Sequence, residues 1–73
     1  MTTTITAVYD SPDQVSNAFD DLVSTGIPQD KIFADKDKPE IKVASPDTGV
    51  PEIREILNRH RPKDISEKPF PAS

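Results

Sequence analysis

Cysteine and tryptophan are absent from this 73-residue chain, and glycine occurs only at Gly26 and Gly49. Without cysteine there can be no disulfide framework, no thiolate metal site and no cysteine nucleophile. Two glycines so far apart exclude the clustered glycines of a phosphate-cradling loop, and with them nucleotide binding of P-loop or Rossmann type. No apolar run approaches the ~18 residues of a membrane helix, and Met1-Thr2-Thr3-Thr4-Ile5 lacks the basic and long apolar regions of a signal peptide. A cytoplasmic protein with no membrane partner is expected. Basic residues are missing from the first 30 positions, which carry five acids, and the whole chain has a net charge of −4. Apolar residues make up only 33% of the chain, against a usual ~45–50%, so one small core is the most that this length can bury. A large enzyme with its own deep cleft is therefore not expected.

The residues that are present fall into clear periods. From Thr3 to Tyr9, β-branched and aromatic side chains alternate, with Ile5, Ala7 and Tyr9 on one face of a strand and Thr4, Thr6 and Val8 on the other. Ser11, Pro12 and Gln14 then form a helix start, the serine as cap, the proline in the first turn and the glutamine completing a capping box. Val15, Ala18, Phe19, Leu22 and Val23 make one apolar stripe, and Gly26 with Pro28 ends the helix. Lys31 to Asp35 and Glu40 to Ala44 read as a hairpin around a polar turn, with Ile41 and Val43 inward. A second helix from about Pro51 to His60 shows Val50, Ile53, Ile56, Leu57 and His60 on one face, and Pro62 closes it. A short edge strand follows around Asp64 to Glu67.

This order is the split βαβ pattern of a ferredoxin-like α+β fold, an antiparallel sheet with both helices on one face. The expected domain covers residues 1–67, and residues 68–73 read as a disordered C-terminal tail. The steps Thr6-Ala7-Val8-Tyr9-Asp10-Ser11, Ala18-Phe19-Asp20-Asp21-Leu22 and Gly26-Ile27-Pro28-Gln29-Asp30-Lys31-Ile32 resemble the opening of a bacterial family of small general-stress, heat-induced domains. Members of that family begin with a strand ending in an aromatic-Asp-Ser step, continue with an Ala- and Leu-striped helix, and close on Gly followed by an aromatic or aliphatic residue. The resemblance spans Ile5 to Ile32. It implies a setting in the stress response and brings no catalytic residues with it.

Reactive constellations are sparse. Asp10, Asp13, Asp20 and Asp21 are oxygen donors suited to a hard cation or a basic partner, but they equally suit a helix N-terminus and a solvated helix face. Asp35 and Asp37 fail as a calcium loop, because Glu40 stands where the sixth position needs Gly and Pro46 where the twelfth needs Glu. The serines have no neighbouring base, and His60 is the one histidine in the chain. We therefore expect no catalysis, no metal and no cofactor.

Two binding readings remain, and both assign the contacts to surface residues. In the first, the sheet face away from the helices, with Thr4, Thr6, Val8, Phe33, Lys42 and Ala44, binds a protein partner or a second copy of the chain, and Val8, Phe33 and Lys42 carry the contact. The expectation turns on strand register, since a slip by one residue would send Val8 or Phe33 into the core. In the second, Arg59, Arg61 and Lys63 at the basic end of the second helix hold a small anion or metabolite at a homodimer interface. Nucleic acid is not expected, because the chain is acidic and no aromatics interleave with those bases.

Overall fold

The computed structural model describes the backbone of residues 2–70. Its elements run β1 (Thr2–Val8), α1 (Pro12–Thr25), β2 (Ile32–Asp35), β3 (Glu40–Pro46), α2 (Val50–Arg59) and β4 (Asp64–Phe70), with single 3-10 turns at Gln29–Lys31 and Asp47–Gly49. The strands form one antiparallel sheet in the order β2-β3-β1-β4, the arrangement of a ferredoxin-like α+β fold.

Alternation along the strands decides which face is buried. Ile5, Ala7, Ile32, Ile41 and Val43 point to one side, where Val15, Ala18 and Leu22 of α1 and Val50, Ile53, Ile56 and Leu57 of α2 cover them. Each of the larger of these side chains contributes roughly 1.5–3 kcal/mol by leaving water. Phe19, Val23, Ile27 and Ile65 close the margins of this core. Tyr9 lies just beyond β1, buried with the core, and its hydroxyl donates to the Leu57 carbonyl oxygen at 2.8 Å.

The helix ends follow the sequence signals closely. Ser11 Oγ accepts from the Gln14 backbone N–H, and Gln14 Oε1 accepts from the Ser11 N–H at 3.1 Å, the two halves of a capping box. Gly26 takes φ 108°, and its N–H bonds back to the Leu22 and Val23 carbonyls. A side chain would be strained there, so glycine is needed. At the start of α2 the need is space: a Cβ on Gly49 would lie 2.6 Å from Ser45 Oγ.

The exit of α2 differs, because Arg61 rather than a glycine occupies the left-handed region, at φ 56°. Its N–H bonds to the Asn58 carbonyl oxygen at 3.2 Å. Arg61→Gly should therefore stabilise the fold by about 1 kcal/mol, read from urea melts. A loss of stability instead would mean that the arginine stem makes a contact worth more than the strain.

Several boundaries depart from the sequence expectation: β1 and α2 each lie one residue earlier, at Thr2–Val8 and Val50–Arg59. β2 begins at Ile32, because Lys31 belongs to the preceding 3-10 turn and its N–H bonds to the Pro28 carbonyl oxygen. β3 continues past Ala44 to Pro46, and β4 continues past Glu67 through Lys68 and Pro69 to Phe70. Both extensions have one cause, since β1 starts at Thr2 and offers Thr2, Thr3 and Thr4 as partners to β3 on one side and β4 on the other. Proline is tolerated in β4 because it is an edge strand. The expected domain boundary at residue 67 and the tail beginning at Lys68 are thus corrected: the sheet runs to residue 70, and residues 71–73 lie outside the described part.

Candidate functional site on the open face of the sheet

The helices cover one side of the sheet and leave the other uncovered, and the register arranges that open side in rows. Phe33, Lys42, Thr6 and Ser66 lie side by side across β2, β3, β1 and β4. On one flank the row is Asp35, Glu40, Val8 and Asp64; on the other it is Ala44, Thr4 and Lys68. Lys31, just before β2, extends this last row, since it lines a groove of about 320 Å³ together with Thr4, Asp30, Phe33, Lys42 and Ala44.

The strand register expected from the sequence is the one observed, so Val8 and Phe33 both belong to the open face. Their exposure differs. Phe33 is 60% exposed on the edge strand, the one large apolar side chain so exposed among the described residues, whereas Val8 is half-buried between neighbouring strands. Lys42 and Glu40 of β3 stand between them, 3.8 Å apart as an ion pair, so the two apolar residues do not form one continuous patch. The groove beside Phe33 is the distinctive feature of this face, with an aromatic wall and two lysines.

The basic end of α2 is arranged differently. Arg59 lies 3.8 Å from Asp21 and 3.4 Å from Glu55, and Lys63 lies 3.9 Å from Asp10. His60 Nε2 is 3.0 Å from the same Asp21 carboxylate. Arg61 is exposed, and its carbonyl oxygen accepts from Gln14 Nε2 at 3.3 Å. The acidic first third of the chain and this basic cluster, read separately in the sequence, therefore face each other across α1 and α2. Asp10 and Asp21 sit where an external anion would have to bind, which weakens the cluster as a receptor for one.

A second concavity, of about 270 Å³, lies between α1 and β2 and is lined by Val15, Ser16, Phe19, Asp20, Ala34 and Lys36. It brings no reactive pair together. Among the described residues no group of three His, Asp or Glu side chains is placed to hold a metal ion, and no helix is long and apolar enough to cross a membrane. On the helix side of the sheet, Arg54 of α2 donates to Glu67 of β4. That hydrogen bond, with the opposite charge beside it, holds the Glu67 carboxyl below its ordinary value and raises Arg54.

Sequence reading misses Lys31, Asp30, Asp64 and Lys68 as members of the open face. Lys68 reads as tail, yet continuing the alternation outward from Ile65, which packs on the core, puts Asp64, Ser66 and Lys68 together on the far side. Lys31 stands two residues before Phe33, so the alternation of a strand read from Lys31 to Asp35 puts it on the same side, although the structure has it in the 3-10 turn that precedes β2. Compared with protein families, with curated proteins and with solved structures, the chain matches none.

Proposed function

We propose that this protein is a non-catalytic interaction module that binds another protein chain through the open face of its sheet. The observation that carries the reading is Phe33, 60% exposed beside a groove on a face that no helix covers. Exposing so large an apolar side chain gains nothing for folding, whereas covering it removes apolar area from water at roughly 25 cal/mol per Å². The lysines and threonines around it supply hydrogen-bond donors for a polar rim. Two edge strands, β2 and β4, flank the face and offer main-chain groups to a partner. The resemblance of Ile5 to Ile32 to general-stress domains adds a stress-response setting to the proposal.

Isotope-labelled protein titrated with protein fractions from its native organism tests this. Amide signals of Thr4, Thr6, Phe33, Lys42 and Ala44 should shift or broaden while those on the outer faces of α1 and α2 stay in place. Phe33→Asp should abolish the effect and change stability by no more than about 0.5 kcal/mol, because the side chain is exposed. Shifts confined to Arg59, Arg61 and Lys63, or an effect that survives Phe33→Asp, would sink the reading.

A further inference from the structure

We infer that the partner this face fits is a second copy of the chain, packed sheet to sheet about a two-fold axis that lies along the Phe33, Lys42, Thr6 and Ser66 row. The inference rests on the interaction reading above and adds the identity of the partner. Its basis is the distribution of charge along the strands.

On one side of the central row stand Asp35, Glu40 and Asp64, all acidic; on the other stand Lys31 and Lys68, both basic, with Asp30 beside Lys31 at the end of the groove and outside the paired rows. A two-fold axis along the central row lays each side of one copy over the opposite side of the other. Positions on a strand exchange symmetrically about the axis. Asp64 then faces the partner's Lys68, because Ser66 is midway between them, and Asp35 faces the partner's Lys31 across Phe33. The same operation puts Val8 over the partner's Thr4 and Glu40 over the partner's Ala44, so no acid meets an acid on these rows. The two Phe33 rings approach each other at the edge of the interface. Lys42 lies on the axis, and its own Glu40, 3.8 Å away, offsets the approach of two ammonium groups.

Other two-fold arrangements of the same face lack this match. An axis parallel to the strands would lay the acidic row on itself and the basic row on itself, and like charges would repel. An isologous contact requires one patch to complement itself, and the rotation across the strands is the one that achieves it here. The size of the face sets the strength. Four strands about 4.8 Å apart and up to seven residues long at about 3.4 Å each present a few hundred Å², which belongs with small, weak interfaces. The dimer should therefore form at high micromolar concentration and dissociate on dilution.

Sedimentation equilibrium of the purified full chain over a concentration series tests this directly. Asp64→Lys alone and Lys68→Asp alone should each weaken self-association by about tenfold, since each replaces two attractive pairs per dimer with repulsive ones. Mixing the two single variants should restore association, because β4 of one chain then presents lysine at both positions and β4 of the other presents aspartate at both. The double variant carrying both changes should recover it as a homodimer. Circular dichroism checks that each variant keeps the fold.

A chain that stays monomeric at its highest soluble concentration, or single variants that are not rescued by mixing, would overturn self-pairing. The extract titration then decides separately whether a different protein occupies the face. A dimer that survives Phe33→Asp and all the charge reversals would place the contact elsewhere and overturn the sheet-to-sheet dimer, while the extract titration still decides the open-face reading.

Discussion

Between pH 10 and pH 12 the protein should lose about 2 kcal/mol of stability that its Tyr9→Phe variant does not lose. Burial of the Tyr9 side chain disfavours the phenolate and pushes its pKa from 10.0 up to about 12. The folded state thus prefers the protonated phenol more than the unfolded state does. The resulting stabilisation is fully present below pH 10, where both states carry the proton, and it disappears as pH rises through about 12. Each pH decade of that difference is worth about 1.4 kcal/mol.

At neutral pH the same Tyr9→Phe substitution should cost about 1 kcal/mol, because the hydroxyl's bond to the Leu57 carbonyl oxygen is lost while His60 N–H still reaches that oxygen. Urea melts of both proteins at pH 8, 10 and 11.5 separate the two effects, and lysine deprotonation, common to both, cancels in the difference. Parallel stability curves for the two proteins would show that the phenol does not titrate with unfolding.

The second large effect is expected at Gln14. Its Oε1 accepts from the Asp10 and Ser11 N–H groups at 3.2 and 3.1 Å, and its Nε2 donates to the His60 and Arg61 carbonyls at 3.0 and 3.3 Å. One amide therefore closes the start of α1 and the end of α2, holding the two helices side by side over the sheet. Gln14→Ala removes both halves, and at about 1 kcal/mol for each end the loss should reach about 2 kcal/mol.

Gln14→Glu distinguishes the two roles. The carboxylate keeps the acceptor for the α1 cap and suits a helix N-terminus, but it has no donor for the two carbonyls and repels them. Its cost should fall between those of wild type and Gln14→Ala if the inter-helix bonds carry about half the effect. Chemical denaturation of the three proteins measures this. A Gln14→Ala protein within about 0.5 kcal/mol of wild type would mean that water replaces the amide at both ends.

Gln14 also illustrates how far the sequence was legible. Its place in a capping box follows from Ser11 three residues earlier, a local relation that the helix geometry fixes. Its reach to His60 and Arg61, 46 and 47 positions away, has no sequence signature. Likewise, the inward set Ile5, Ala7, Ile41 and Val43 and the outward pair Val8 and Phe33 were readable from alternation alone. The acidic first third and the basic end of α2 were visible only as separate features. Their meeting at Asp21 and Asp10 joins the two, while the exposed ring of Phe33 lies on the side of the sheet that no helix covers.

The chain alone determined the elements and their buried sides, because backbone stereochemistry and the periods of helix and strand act over a few residues and leave a pattern in the order of side chains. Tertiary structure decided which distant residues became neighbours. The reach of β1 to Thr2 drew Lys68 and Phe70 into the sheet, and the pairing register set Asp64 and Lys68 on either side of the Phe33 row. Those placements depend on packing between segments far apart in sequence, and no local pattern encodes a distance of that kind.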